Sequence, residues 1–378
     1  MDPVACIEFC EDDGPAALGR CVDRVCRAGA RSLLILACEA DRWTPEALDE
    51  LLKAVSAPLF GGIFPGIIWQ DRQYHHGTLV VGLSGVAEVS IVRGLSAGDE
   101  DMDTRVQRQC RLADRERDLI VLVDGLSSRV EPFVDSLYRL AGPGRRVVGG
   151  GAGSLDFVQR PCLFSNEGLL ADAALVVAFP FPVHCGVRHG WEILDGPYLV
   201  TGACHNVLDT LNYRPAFDLY RDCIEGKQGP LFDGADFFDV AKTFPLGIES
   251  LDGDILVRDP IRAEDRSLVC VGEVPENAMV YVLRGQADRL IEAASRAAGD
   301  ARRAHRSATT ATAAGMLVFD CISRTLFLGD AFDSELDAIV AHADAGCPVF
   351  GTLSLGEITN TASGPIDLLN KSTVISVF

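Results

Sequence analysis

The sequence has no long apolar run and comparatively few cations. Its longest apolar stretch, ALVVAFPFPV (174–183), is half of the ~20 residues that a membrane-spanning helix needs, and it carries two prolines. The opening stretch MDPVACIEFCEDD lacks a basic region and an apolar core, so no targeting segment is expected. A soluble, cytoplasmic protein is therefore predicted. Against 54 acidic residues stand only 34 Lys and Arg, a formal net charge of -20. A chain this acidic is repelled by nucleic acid and by anionic membranes, so neither is expected as a partner.

Several motifs are missing too. The 13 cysteines form no CxxC, which leaves a zinc ribbon or a thioredoxin motif unsupported, and no CxxCH, which excludes covalent c-type haem. Reduced, mostly buried thiols are the expectation. No HExxH or HxxxH spacing supports a zinc hydrolase. GxSxG is absent, because GTLSLG has Thr352 where the motif requires glycine. GGIFPG (61–66) is not followed by Lys-Ser/Thr, and GGGAGS (149–154) has Ser154 where a dinucleotide fingerprint wants its third glycine.

A repeat is present. At 378 residues and 48% hydrophobic composition, the chain is long and apolar enough for two or three globular domains. Three glycine-rich segments recur in the same surroundings: APLFGGIFPG (57–66), RRVVGGGAGS (145–154) and CPVFGTLSLGEI (347–358). Each follows a helical pattern, and each helical pattern follows an apolar strand: SLLILAC (32–38), DLIVLVDG (118–125) and GMLVFDC (315–321). A strand and a helix precede each unit, the first strands being placed at 4–9, 87–94 and 278–285, and a further apolar strand follows. The fold class is thus α/β: repeated strand–helix–strand units with glycine turns at strand ends, and a mixed α+β insertion at roughly 185–275. The division drawn is 1–184 and 185–378. The insertion is expected to hold a strand at 197–204, a helix after Pro215 and a hairpin around Asp252–Gly253.

Glycine turns at strand ends bare backbone N–H groups and suit a ligand, although they also serve simply as tight turns. The candidate ligand contacts are Gly61, Gly62, Gly149, Gly150, Gly151, Gly351 and Gly356, with Phe60, Phe64 and Phe350 as walls and Arg324 and Glu357 fixing polar ends. His189, in VRHGWEI, is the candidate metal ligand, weighed against a histidine bonded to backbone; His205 is the second choice. Cys321 near Arg324 is weighed as an activated thiolate against a packed thiol. No catalytic residue is assigned, and no enzyme is expected.

These motifs together resemble the FIST sensory proteins, with an N-terminal and a C-terminal FIST region. The likeness lies in VVGGGAGS (147–154) and ADAALVVAF, in VRHGWEI (187–193), VTGACHN (200–206) and RPAFDLY (214–220), and in VFDCISR (318–324), GTLSLGEI (351–358) and NKSTVI (370–375). Where the family often has Asp-Gly before Pro-Ala, this chain has TLNYRPA. The resemblance implies a bacterial, intracellular signal-input module that binds a small molecule. One implied ligand is b-type haem on His189, sensing nitric oxide and regulating a separate histidine kinase or cyclic-di-GMP enzyme. The alternative it leaves open is a metal-free sensor for a small metabolite such as an amino acid.

Overall fold

Three apolar runs, β2 (Ser32–Cys38), β8 (Leu119–Asp124) and β21 (Met316–Cys321), are buried along their whole length. Strands with no solvated face belong to the middle of layered α/β sheets, and each of these is central in its own six-stranded sheet. The computed structural model describes every residue except 1, 13, 112–115, 143, 250–254 and 361–363. Among the described residues, the strands form three such sheets and one of seven strands.

The first unit runs β1 (Val4–Cys10), α1 (Pro15–Arg27), β2, α2 (Pro45–Ala54), β3 (Leu59–Phe64), a hairpin of β4 (Gly66–Trp69) and β5 (Arg72–Tyr74), and β6 (Thr78–Leu83). The second repeats the order: β7 (Glu88–Arg93), α3 (Met102–Gln109), β8, α4 (Val130–Ala141), β9 (Val147–Ala152), the hairpin β10 (Leu163–Ser165) and β11 (Gly168–Leu170), and β12 (Ala173–Ala178). The third opens on β13 (His184–Arg188) and, after the insertion, continues with α7 (Ala287–Ala308), β21, α8 (Ile322–Leu328), α9 (Phe332–Val340) and β22 (Val349–Ser354). It ends with the hairpin β23 (Glu357–Asn360) and β24 (Ile366–Leu369) and with β25 (Thr373–Val377).

The expected strand–helix–strand repeat is therefore present three times. In each unit the second strand pairs in parallel with the glycine strand that follows its helix: β2 with β3, β8 with β9, β21 with β22. The hairpin after each glycine strand leaves its own sheet. It pairs β4 on β22, β10 on β3 and β23 on β9, so the three units exchange hairpins in a closed cycle. Each sheet is completed by its neighbour, and the central apolar residues of all three merge: Phe60, Phe164, Phe319 and Phe350 share one core.

The third unit differs from expectation at its start. The strand at 278–285, observed as β20 (Met279–Arg284), belongs to the inserted sheet, where it pairs with β14 (Glu192–Cys204). The edge strand equivalent to β1 and β7 is β13, antiparallel to β25. The insertion thus falls inside the third unit, between its first strand and its first helix. It carries β14, β15 (Val207–Leu211), β16 (Arg214–Pro215), α5 (Ala216–Gln228), α6 (Phe237–Ala241), β17 (Leu246–Glu249), β18 (Ile255–Glu264), β19 (Ser267–Val271) and β20. The strand at 197–204 and the helix after Pro215 are as expected. The hairpin's arms β17 and β18 pair antiparallel, while the turn at Asp252–Gly253 lies outside the described residues. The inserted sheet has its own core, with Leu211, Tyr220, Leu246 and Val280 all fully buried.

Helix α7 docks through small residues. Ala293, Ala294, Ala297, Ala298 and Ala301 are buried, and a Cβ on Gly186 of β13 would stand 2.0 Å from the Ala297 carbonyl oxygen. Glycine below and alanine above let the helix lie against the edge strand at backbone contact. Among the described residues no helix is long and apolar enough to cross a membrane.

Candidate functional site

Gly61, Gly62, Gly149, Gly150, Gly151 and Gly351 lie inside strands β3, β9 and β22, while Gly356 lies in the turn between β22 and β23 with a φ of 87°. A Cβ at Gly61, Gly149 or Gly351 would come within 1.9, 1.7 and 2.0 Å of the carbonyl oxygen of its parallel partner, Ile35, Val121 and Val318 respectively. Gly62 meets the Ala152 Cβ and the Phe64 ring, and Gly150 and Gly151 meet Ser354 and the Leu355 carbonyl. These residues bring the three sheets to contact at their junction. Phe60, Phe64 and Phe350 are fully buried there.

Arg324 is fully buried on α8. Its guanidinium donates to Glu335 Oε1 and Oε2 at 3.0 and 2.6 Å, to the His189 carbonyl at 2.5 Å and to the Leu290 carbonyl at 3.1 Å, and it lies 3.3 Å from Asp320 Oδ1. It joins α7, α8, α9 and the chain after β13. Glu357 is buried as well, accepting from the Ser354 hydroxyl at 2.8 Å and the Ser372 N–H at 3.2 Å. Burial pushes its carboxyl up to about 8 against those hydrogen bonds.

A cavity of about 590 Å³ opens where the carboxyl ends of β8 and β21 face the inserted sheet. Strand ends of this kind are the usual ligand position in α/β sheets. Unit two contributes Gly125–Ser128 and the start of α4, unit three contributes Cys321–Ser323 and Leu355–Gly356, and the insertion contributes Asp259, Ile261 and Cys270–Glu273. Phe157 and Leu326, 60% and 42% exposed, line it as well. A smaller cavity of about 400 Å³ shares Leu155, Ile322 and Leu326 with it.

Asp259 is the most unusual group in the larger cavity. It lies on β18 next to Arg258, 1% exposed. Its Oδ2 accepts from Ser323 Oγ at 2.8 Å and lies 3.2 Å from Lys371 Nζ, while Oδ1 has no hydrogen-bond partner. Asn370, 2% exposed and also lining the cavity, has an Oδ1 without a partner as well. An unpaired buried polar atom costs roughly 1–3 kcal/mol, which a ligand donor would recover. Burial raises the Asp259 carboxyl, with Lys371 opposing. Beside it, Glu131 of α4 accepts from Arg258 Nη2 at 2.7 Å and from the Glu273 N–H at 2.7 Å, pinning the inserted sheet to unit two.

Of the sequence-predicted contacts, Gly356 lines this cavity; Gly61, Gly62, Phe64, Gly149, Gly150, Gly151, Arg324, Gly351 and Glu357 are not among the residues lining either described cavity. His189 is not among them either. Its Nδ1 accepts the Trp191 N–H at 3.0 Å. His205 lines the larger cavity at the β14–β15 turn, 3.3 Å from Glu273 Oε1. Cys321 lines it too, but burial and then Glu357 push its thiol well up, so it is a protonated wall rather than a thiolate. Among the described residues no group of three or more His, Cys, Asp or Glu is placed to hold a metal ion. Asp259 and Asn370 escaped sequence reasoning. The available signal was a pair of adjacent opposite charges between apolar residues of a strand, LVRDPI, and a lysine in NKSTVI.

Two family models match. One, described as FIST N domain, covers residues 32–214, and the other, described as FIST C domain, covers residues 216–360. A search of curated proteins finds no match.

Proposed function

The chain belongs to the FIST family, whose domains are signal-transduction sensors for small ligands, and on that premise we propose that its ligand occupies the cavity between units two and three and the inserted sheet. The observation that carries this is that two residues of its wall, Asp259 and Asn370, each hold a buried side-chain oxygen without a hydrogen-bond partner, beside apolar residues such as Ile261, Ile322 and Leu355. Few precisely placed polar groups on an apolar surface are what a small-molecule site consists of.

The signal leaves through the joint that the cavity spans. A ligand touching both Ser127 or Ser128 and Cys270–Glu273 favours one seating of the inserted sheet on unit two, and a population shift follows from that difference in affinity. A separate histidine kinase or cyclic-di-GMP enzyme reads the change. FIST domains are sensory rather than catalytic, and no turnover is assigned.

A haem held by His189 does not fit this cavity. The His189 ring accepts a backbone N–H through Nδ1, its carbonyl anchors Arg324, and it is absent from the lining. The metabolite reading is therefore preferred.

The test is a thermal-shift screen of amines, amino acids, small carboxylates and haem against the wild type and Leu326→Trp, which fills the cavity mouth. A ligand that stabilises the wild type and not the variant supports the reading. Ligands that stabilise both equally place binding elsewhere. A sharp, stoichiometric Soret band that is lost in His189→Ala would displace the metabolite reading in favour of haem and nitric oxide.

A further inference from the structure

The charges on the cavity wall are of one sign. Among the described residues, Glu131, Asp259 and Glu273 line it, and no Lys or Arg does. The two cations that neutralise the first pair, Arg258 and Lys371, stand outside the lining. His205 is the one imidazole on the wall, and its ring lies against the Glu273 carboxylate.

Three side-chain donors on the wall are committed, Asn206 Nδ2 to the Cys270 carbonyl at 3.0 Å and two hydroxyls. Ser323 Oγ donates to Asp259 and Ser127 Oγ donates to Asp172 Oδ1 at 2.9 Å. The buried polar atoms left without a partner on this wall are acceptors, a carboxylate oxygen of Asp259 and the side-chain oxygen of Asn370. Apolar residues make up much of the wall, including Leu126, Ile261, Ile322, Leu355 and Leu368. A ligand's N–H donors would satisfy the two oxygens. A carboxylate on the same ligand would meet three acidic side chains and find no cation.

We propose that this cavity selects an apolar amine: a protonated primary amino group held by Asp259 and Asn370, an apolar body against the walls, and no carboxylate. The selection rests on the cavity being the ligand site, and it separates simple amines from α-amino acids. Rejection of the acid comes from unpaired like charge rather than from size.

The experiment is isothermal titration of the full chain with three probes that share one body: 2-phenylethylamine, L-phenylalanine and 3-phenylpropionate. The amine is expected to bind at least tenfold more tightly than phenylalanine, and phenylpropionate is expected not to bind. Asp259→Asn should weaken the amine at least tenfold. That variant leaves Lys371 without its carboxylate, so the double variant Asp259→Asn, Lys371→Met removes both charges together, and circular dichroism with thermal unfolding checks its fold. Loss of amine binding in the folded double variant supports the proposal. Unchanged amine binding there overturns it, as does equal or tighter binding of either acid, or no binding of the amine. Leu326→Trp separates the two levels. If phenylpropionate binds and Leu326→Trp abolishes that binding, the cavity is the ligand site and the amine selection has failed. If the amine binds the wild type and Leu326→Trp equally, the cavity reading fails and the selection fails with it.

Discussion

Gly149 faces Val121 across a parallel strand pair so closely that a Cβ would stand 1.7 Å from the Val121 carbonyl oxygen. The obstacle is backbone, which no rotamer change removes. Gly149→Ala should therefore force the strands apart and destabilise the protein by about 3 kcal/mol or more, at the upper end of overpacking effects. Urea unfolding measures this. Gly98→Ala is the control, since a Cβ there meets nothing within 4 Å.

Arg324 offers a second test. It is fully buried and compensates Glu335 and Asp320. Arg324→Met leaves those carboxylates uncompensated, at a cost of about 3–5 kcal/mol. Replacing Glu335 with Leu in the same chain should recover part of that loss. A double-mutant cycle by chemical unfolding would show it, and strict additivity of the two changes would contradict the pairing.

Glu357 predicts a pH dependence of stability. Its carboxyl is raised from 4.5 to about 8, chiefly by burial. The folded state then binds the proton more tightly than the unfolded chain. Its stabilising contribution is complete below pH 4.5 and is lost as the pH rises through about 8. Glu357→Gln keeps an acceptor for Ser354 and does not titrate. The melting temperature of the variant should fall less steeply than that of the wild type between these limits. Parallel profiles would contradict the shift.

Glu131 tests the joint between the inserted sheet and unit two. Glu131→Ala strands Arg258, a buried cation on β18, without its carboxylate. A loss of about 3–5 kcal/mol is expected from removing one partner of a buried pair. Hydrogen exchange should rise first in 255–273, the segment this contact holds. Uniform exchange over all sheets would mean that the joint is not a separate unit of stability.

The repeat was legible because its signals are local. An apolar run of strand length, an amphipathic helix and a glycine strand recur in order, and each can be read without knowing its partner. The third unit's first strand was not. HCGVR is short and contains glycine, while MVYVLR, just before the third unit's first helix, has the stronger strand composition, and only pairing shows that the first joins β25 and the second joins β14. The glycines were legible as special, but not which of them, like Gly149, admit a neighbouring carbonyl and which, like Gly356, line the cavity. A glycine that bares an N–H to a ligand and one that admits a neighbouring carbonyl look the same in one dimension.

By itself, the sequence determined the element types, their threefold order, the excess acidity and the family. The first three follow from composition and short-range periodicity, and the family from the resemblance of its motifs. Tertiary structure alone decided the cyclic exchange of hairpins and the placing of the insertion inside the third unit. It also brought Asp259 of β18 beside Lys371 and put Asn370 on the same cavity wall. Those outcomes rest on pairing and burial between residues far apart in the chain, where the identity of the partner sets the energy of each group.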